Sequence, residues 1–321
     1  MIGLKKHFLR SLLVFSAMLI ALVGCSSSPA PKEKATEQTR TIQHAMGTTK
    51  VPAEPKRVVV LTNEGLEAAL ALGVKPVGAV ESFTAKPFYK HLLAETKGVK
   101  TVGNEHEPNL ETIASLKPDL IIGNKMRQEK VYSQLNAIAP TVFAEELRGD
   151  WKVNFDLYAK ALNKEAEGKK VLADYEKKVQ EVKQNAGDLL QQKVSVIRFM
   201  AGKTRIYQQQ SFTGVLLKDV GFARTELGQK DDFAMEISKE QIPQGDGDII
   251  FYFTYDEGDK KGDAQEQEIT NDPLWKNLTA VKNNRAFKVD DVIWNTAGGV
   301  KAAMIMLDQL NGIVNQIKQA K

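Results

Sequence analysis

Residues 109–123 read NLETIASLKPDLIIG, and residues 238–251 read SKEQIPQGDGDIIF. Both stretches begin with residues that favour a helix start, and both end in a leucine or isoleucine run that favours a buried strand. In each, a glutamate (Glu111 or Glu240) lies eight residues before the aspartate that precedes the strand. The two stretches predict one helix–strand unit in each half of the chain; the alternative is a coincidence between two ordinary units.

The residues that precede each of these stretches predict the same pair of elements in both halves, a strand followed by a helix. Residues 57–61 (RVVVL) predict a buried strand, and the helical pattern that follows them stops at Gly73. Residues 193–197 (KVSVI) predict a second such strand, and the next helical pattern stops at Gly221. Strands that alternate with helices predict a mostly parallel sheet covered by helices.

A long helix is predicted between the halves, over residues 155–191. Apolar residues recur there at helical spacing, charged residues fill the other positions, and proline is absent. The whole pattern predicts an α/β protein with two similar lobes, at residues 42–154 and 192–321, the second of which ends in a terminal helix. One rigid linking helix limits the relative movement of the lobes, and the ligand cleft is expected between them.

The N-terminal segment predicts export rather than a folded element. Residues 1–24 combine a basic head with an apolar run too short to span a membrane comfortably, as in a signal peptide. Residues 22–25 (LVGC) resemble a bacterial lipobox, which predicts lipidation at Cys25; an uncleaved anchor with an incidental cysteine is the alternative. Residues 25–41 are polar and predict a flexible tether. We therefore expect a domain held by lipid at the outer face of the cell membrane.

Composition excludes several classes of function. The chain has 44 Lys+Arg and 40 Asp+Glu, and three of the basic residues lie in the predicted signal peptide, so no bulk charge attracts nucleic acid. One cysteine excludes a disulfide framework or a multi-cysteine zinc site. Gly202-Lys203-Thr204 lacks the earlier glycine of a phosphate loop, and no nucleophile elbow or His-x-x-His pair occurs. An anchored surface enzyme is therefore a weaker hypothesis than a binding protein, and the two-lobe α/β pattern disfavours an adhesion module.

Candidate ligand-binding residues follow from a rule of open α/β sheets, in which ligands bind beyond the carboxyl ends of the strands. The residues selected there include guanidinium donors and aromatic rings: Arg127, Arg205, Tyr207 and Trp294. Arg198, inside the predicted strand that precedes Arg205, is a further candidate. Arginine offers forked, permanently charged donors, while aromatic rings cover apolar surface. This chemistry predicts a bulky, oxygen-rich, anionic ligand.

Each of these residues has a structural alternative. Trp294 could belong to a lobe core, and Arg127 or Arg205 could be a solvated surface charge. Arg198 lies inside a predicted strand, where an unpaired charge is costly. It needs either a structural carboxylate or the ligand as its partner, and the sequence leaves both open.

The sequence resembles the iron–siderophore-binding lipoproteins of bacterial ABC importers, in the ferric-hydroxamate/citrate-type group. The resemblance rests on residues 22–25, 57–64, 109–111 with 117–122, 196–199 with 205–207, 238–240, and 294–295 with 297–299. It implies capture of an Fe(III)-siderophore of the hydroxamate or citrate-hydroxamate type for delivery to an ABC importer. A haem- or corrinoid-binding lipoprotein of the same superfamily is the alternative.

The resemblance also implies roles for particular residues. Arg127, Arg198, Arg205, Tyr207 and Trp294 are expected to hold the ligand. Glu111 and Glu240 are expected to be surface carboxylates, one on each lobe, that dock onto arginines of the permease dimer. The ligand arrives as a preformed ferric complex, so neither a cofactor nor a direct metal ligand is expected. The chain is expected to act as a monomer at the surface of a Gram-positive cell.

Overall fold

A computed structural model describes residues 38–320 of the 321-residue chain. The predicted signal peptide, the predicted lipidation site Cys25 and the part of the predicted tether up to residue 37 lie outside the described residues. Among the helices of residues 38–320, none is both long enough and apolar enough to cross a membrane.

The described chain begins with a β-hairpin. Strand β1 (Thr39–His44) pairs antiparallel with β2 (Gly47–Pro52). Side chains alternate along β1, and Ile42 and His44 are its buried residues. The tether predicted to extend to residue 41 is therefore wrong at its end, because a polar composition concealed the alternating pattern of a half-buried strand.

The N-terminal lobe is built on a five-stranded sheet in which every neighbouring pair is parallel, as predicted. The spatial order of the strands is β5-β4-β3-β6-β7. Their bounds are β3 (Val58–Val60), β4 (Gly78–Ala79), β5 (Lys100–Thr101), β6 (Leu120–Asn124) and β7 (Thr141–Ala144). Strands β3 and β6 are buried along their whole length, which explains their continuous apolar sequence.

Four helices belong to this lobe: α1 (Asn63–Ala71), α2 (Leu110–Ser115), α3 (Lys125–Gln128) and α4 (Tyr132–Ile138). Polar side chains cap three of them. Thr62 accepts a hydrogen bond from the amide of Gly65, Asn109 accepts one from the amide of Thr112, and Asn124 accepts one from the amide of Met126. Thr62 and Asn124 lie at the carboxyl ends of β3 and β6, so their caps place the starts of α1 and α3 at that edge of the sheet.

Two helices connect the lobes. Helix α5 (Trp151–Ala161) packs against α1, and α6 (Glu165–Ala186) follows it after a short break. Asn163 lies in that break with φ of 58°, a left-handed conformation that a continuing helix does not contain. The prediction of one helix over residues 155–191 is therefore wrong in its first part. The long linking helix is α6, which spans about 33 Å at ~1.5 Å per residue.

The C-terminal lobe contains a second five-stranded sheet, in the order β10-β9-β8-β11-β12. Strands β8, β11 and β12 run parallel, whereas β9 and β10 are added antiparallel. The bounds are β8 (Val194–Met200), β9 (Lys203–Tyr207), β10 (Ala234–Ile237), β11 (Ile249–Thr254) and β12 (Ala286–Lys288). Gly202 turns the β8–β9 hairpin with φ of 65°, which glycine adopts without strain.

The remaining helices are α7 (Phe212–Val220), α8 (Lys261–Asn271), α9 (Pro273–Lys276), α10 (Thr279–Lys282) and α11 (Val300–Gln319). Helix α11 is the predicted terminal helix, but it packs against α1 of the first lobe as well as against α6. One hydrophobic cluster includes residues of both sheets and of α1, α5, α6, α7 and α11. A close-packed core shared by the lobes resists large movements of one lobe against the other.

Candidate functional site

A cavity of about 390 Å³ lies between the two lobes, at the carboxyl ends of their strands. Each strand of the first sheet is followed by a residue that lines it: Glu64, Phe83, Glu105, Arg127 and Arg148, after β3, β4, β5, β6 and β7 respectively. Strands β8 and β9 line the opposite wall with their own side chains. The carboxyl-edge rule therefore located the cavity correctly.

Four of the five predicted ligand-binding residues line this cavity: Arg127, Arg198, Arg205 and Tyr207. The first comes from the N-terminal lobe and the others from the C-terminal lobe. Arg148 adds a fourth guanidinium group to the lining. The arrangement suits an anion with several oxygens, whereas contact between these residues and a ligand stays a prediction.

Arg127 is held at the cavity by a buried carboxylate. Its Nε lies 3.3 Å from Oε2 of Glu105. The other oxygen of Glu105 accepts hydrogen bonds from the backbone amide and the side-chain amide of Asn63, at 2.7 and 2.8 Å. Glu105 is itself 3% exposed, so Arg127 is anchored and is not the freely solvated charge of the alternative interpretation.

Arg198 has a structural carboxylate as its partner. Its Nε and Nη2 donate to the two carboxylate oxygens of Asp291, at 2.6 and 3.0 Å. Its Nη2 also donates to Thr296, and its Nη1 donates to the hydroxyl of Tyr207 at 2.9 Å. Burial lowers the pKa of Arg198, but the charges and hydrogen bonds of Asp291 and Tyr207 together outweigh burial and raise that pKa above its usual value. Arg198 is thus a fixed positive charge in the cavity wall.

Arg205 lies directly opposite Arg198 in the antiparallel pair of β8 and β9. Residues that are opposite each other in such a pair project from the same face of the sheet, and both of these line the cavity. Nη2 of Arg205 is 3.4 Å from Oε2 of Glu236 on β10, which is half exposed. Two like charges therefore share one wall, and only one of them has a buried counter-charge.

Arg148 is a site residue that the sequence analysis missed. It follows β7 with φ of 81°, an uncommon conformation for a residue other than glycine. Its guanidinium carbon lies 4.6 Å from the ring centre of Phe233, so a residue of the first lobe contacts the second. The sequence analysis did not predict strand β7. Had that strand been recognised, the same carboxyl-edge rule would have pointed to the loop after it, which contains Arg148.

Trp294 does not line the cavity, although it was selected as a ligand contact. The structure favours the alternative interpretation, in which Trp294 belongs to a lobe core. Its side chain is fully buried, its ring centre lies 4.7 Å from that of Phe251, and its Nε1 donates to Gln309 at 2.7 Å. Residues Val292–Thr296 form a π-helical turn. The following residues of this turn, Asn295 and Thr296, line the cavity while Trp294 packs in the core.

Aromatic and sulfur-containing side chains supply the apolar part of the lining. The aromatic ones are Phe83, Tyr207, Phe212, Phe233 and Tyr255, and Met126 and Met200 accompany them. The ring of Tyr255 lies 4.7 Å from the guanidinium carbon of Arg198. Phe83 and Tyr255 follow β4 and β11, where the carboxyl-edge rule also directs attention. The lining thus combines apolar surface with fixed charge.

The two carboxylates expected to dock a permease are both exposed and lie outside the cavity lining. Glu111 is in the first turn of α2, and Glu240 is in the first turn of a 3-10 helix over Lys239–Gly245. Glu240 accepts a hydrogen bond from the Ser238 hydroxyl at 2.8 Å, which lowers the pKa of Glu240. Both are therefore accessible anions, while their docking role stays a prediction.

No group of three or more histidine, aspartate or glutamate side chains within residues 38–320 could hold a metal ion. The histidine at the cavity is His106, which stacks at an angle on Phe83 with ring centres 6.0 Å apart. The described residues therefore offer charged donors for an anion and no preformed cage for a cation.

Comparison with known proteins gives a consistent result. The family described as periplasmic binding protein matches residues 58–292. The probable siderophore-binding lipoprotein YfiY of Bacillus subtilis (strain 168) is 52% identical over 318 residues, which cover 96% of this chain and 98% of that protein. The Fe(3+)-citrate-binding protein YfmC of the same organism is 34% identical over 305 residues, which cover 93% of this chain and 94% of that one.

A solved structure with a similar fold is that of Staphylococcus aureus SirA complexed with staphyloferrin B. The two structures superpose with a TM-score of 0.81 at 41% sequence identity. The match covers 86% of this chain and 99% of the SirA chain. The two-lobe α/β fold is therefore the fold of a siderophore-binding protein.

Proposed function

This chain belongs to the periplasmic binding protein family, and from that premise we propose that it captures a preformed Fe(III)–siderophore complex outside the cell and passes it to an ABC importer. Its sequence relatives and structural neighbours are named as siderophore- or ferric-citrate-binding proteins. The iron is cargo in this function and is bound by the siderophore rather than by the protein.

The observation that carries the proposal is the pair of arginines on one cavity wall. Arg198 and Arg205 are cross-strand partners, and like charges in that position destabilise a sheet unless an anion offsets them. Asp291 neutralises the first, whereas the carboxylate near the second is half exposed and therefore weakly effective. An oxygen-rich anionic chelate that enters the cavity supplies the missing negative charge.

The two kinds of lining match the two parts of a ferric siderophore. The four arginines suit carboxylate, hydroxamate or alkoxide oxygens around the metal, because guanidinium groups bind oxyanions through forked donors. The aromatic rings and methionines suit the apolar backbone that joins the chelating groups. We therefore infer a ligand of the hydroxamate or citrate-hydroxamate type that carries negative charge at neutral pH.

Delivery requires the protein to stay near the membrane and to recognise its importer. We propose that Cys25 carries the lipid anchor at the outer face of a Gram-positive cell membrane, and that the protein acts as a monomer. The exposed Glu111 and Glu240, one on each lobe, are proposed to contact basic residues of a permease dimer. Two equivalent acids on two similar lobes suit a partner with two-fold symmetry.

The proposal is tested by equilibrium dialysis of the protein without residues 1–24 against siderophores loaded with radioactive iron. We expect saturable binding of one complex per chain at sub-micromolar concentration, with the siderophore recovered unchanged, since the protein performs no chemistry on it. Failure to retain any complex from a broad panel of hydroxamate, citrate and catecholate siderophores contradicts the proposal.

The same experiment separates the alternative ligands. His106 at the cavity could approach a haem iron, so haem and a corrinoid are included in the panel. Binding of haem with a shifted Soret absorbance band, together with no binding of ferric siderophores, assigns the protein to the alternative. Conversion of the bound molecule to a new product identifies an enzyme.

A further inference from the structure

A buried carboxyl group lines the same cavity as the arginines and has no role in holding them. Glu64 is in the first turn of α1 and lines the cavity, although its exposed fraction is only 5%. In the described part of the chain it forms no ion pair. The carboxylates beside the cavity arginines are instead Glu105, Asp291 and Glu236. A carboxyl group in an anion site needs an explanation, because a negative charge there opposes capture.

The hydrogen bonds of Glu64 show which of its oxygens can carry a proton. Oε2 accepts from Nδ2 of Asn154 at 3.2 Å. The same nitrogen donates to the backbone carbonyl of Glu146 at 2.6 Å, which fixes the orientation of the Asn154 amide. Oε2 is therefore the acceptor oxygen. Oε1 is buried and has no hydrogen-bond partner among residues 38–320.

The surroundings of Glu64 favour its neutral form. It is buried without a counter-ion, and ionisation of a carboxyl group in such a place costs several kcal/mol. The titratable groups that act on it are Glu67 on its own helix, Glu105 beyond β5, Asp150 before α5, and Tyr158 on α5. All four are acids, and three are carboxylates that raise the pKa of Glu64 in addition to burial.

We propose that Glu64 is a neutral carboxylic acid whose Oε1–H donates a hydrogen bond to an oxygen of the captured chelate and thereby contributes to ligand selection. This inference rests on the proposed function, because the acceptor belongs to the ferric complex. A neutral acid in the cavity adds a donor without adding charge. It favours chelates that present an acceptor oxygen at this position over those that present apolar surface or a donor there.

The test uses two substitutions that separate the donor from the volume of the side chain. Glu64→Met keeps the length and removes the donor; we expect binding of the ferric siderophore preferred by the wild type to weaken roughly tenfold, the effect of one hydrogen bond to a charged group. Glu64→Gln places an amide N–H at the same position and is expected to restore most of that loss. Glu226→Met, at an exposed carboxylate outside the cavity lining, is the matched control.

The outcomes distinguish this inference from the proposed function. If the wild type binds a ferric siderophore and Glu64→Met binds it equally well, the donor role is wrong. If both substitutions at Glu64 strengthen binding, the group is an anion that repels the cargo, and the inference is also wrong. Loss of all binding by the wild type overturns the proposed function.

A second measurement needs no ligand and keeps the inference testable in every case. The infrared difference spectrum between the wild type and Glu64→Gln at neutral pH is expected to contain the carbonyl band of a protonated carboxylic acid. Carboxylate bands in its place overturn the inference, whatever the binding experiments give. Thermal unfolding of each variant shows whether it is folded under the conditions used.

Discussion

Glu67 of α1 accepts a hydrogen bond through Oε2 from the backbone amide of Ala302 in the first turn of α11, at 2.8 Å. Its other oxygen lies 2.5 Å from Nε2 of His91. Glu67 is fully buried, and a Cβ atom placed on Gly299 approaches it within 2.6 Å. A carboxyl group of the first lobe therefore caps the terminal helix, and glycine is required beside it. This contact joins two segments that are 235 residues apart.

Replacement of Glu67 should destabilise the protein. Glu67→Ala removes the acceptor of a buried amide and the partner of His91, and we expect the free energy of unfolding to fall by about 2–4 kcal/mol. Glu67→Gln keeps an acceptor oxygen, so its free energy of unfolding should lie between that of Glu67→Ala and that of the wild type. Urea denaturation followed by circular dichroism measures both, and an unchanged midpoint for Glu67→Ala contradicts the capping role.

Arg205→Ala should weaken capture of the anionic ligand. Loss of a charge-assisted contact in a partly dry cavity corresponds to roughly a tenfold to hundredfold rise in the dissociation constant. Lys203→Ala is the matched control, because it removes the same charge from the same strand at a residue that does not line this cavity. Equal effects of the two substitutions in dialysis indicate long-range attraction instead of contact.

Trp294→Phe should change stability without changing capture. The substitution removes the hydrogen bond to Gln309 and part of the contact with Phe251, which should lower the free energy of unfolding by about 1–3 kcal/mol. Calorimetric unfolding and dialysis measure the two properties on the same preparation. If Trp294→Phe is folded with unchanged stability but binds the ligand much more weakly, the core assignment is wrong and Trp294 is a ligand-binding residue.

The contribution of Glu64 to the free energy of unfolding should fall as the pH rises above the pKa that this group has in the unfolded chain. Burial raises the pKa of Glu64 well above its ordinary value of 4.5. The folded state therefore keeps a proton that the unfolded state releases above about pH 4.5, so the contribution of Glu64 decreases with pH until the folded-state pKa is passed. Glu64→Gln lacks this titration. Its stability relative to the wild type should increase as the pH rises above about 4.5 in a series of thermal melts, and a constant difference refutes the assignment.

The docking role of the two exposed carboxylates predicts a separation of capture from transport. Glu111→Ala together with Glu240→Ala should leave ferric siderophore binding within about twofold of the wild type, since neither residue lines the cavity. Uptake of radioactive iron by cells that depend on this protein should be abolished. Normal uptake by such cells removes the docking role, and each single substitution shows whether one lobe suffices.

The sequence predicts much of the architecture because the decisive signals are local. Continuous apolar runs such as residues 57–61 and 193–197 become β3 and β8, and the cap of Asn109 starts α2 where expected. The strands that it misses are short or partly polar, as in β1 and β10, whose burial comes from neighbouring strands. Pairing partners far away in the chain decide whether such segments become strands.

The sequence likewise predicts some residues of the candidate site and misses others. Arg127, Arg205 and Tyr207 could be selected from the chain alone, because they follow the recognisable strands β6 and β8 and the carboxyl ends of such strands converge. Arg205 and Tyr207 nevertheless line the cavity from within β9, an antiparallel strand that was not predicted. The partner of Arg198 could not be found, because Asp291 lies 93 residues further along.

Much of the order of strands and helices, the location of the cleft, and the arginines Arg127 and Arg205 follow from the sequence by itself, since periodicity and strand ends are properties of neighbouring residues. Only the tertiary structure decided that Trp294 packs in the core, that Arg148 reaches Phe233, and that Glu64 is buried without a counter-ion. The direction of a side chain at a turn depends on the surface packed against it, and the charge state of a buried acid depends on every group around it.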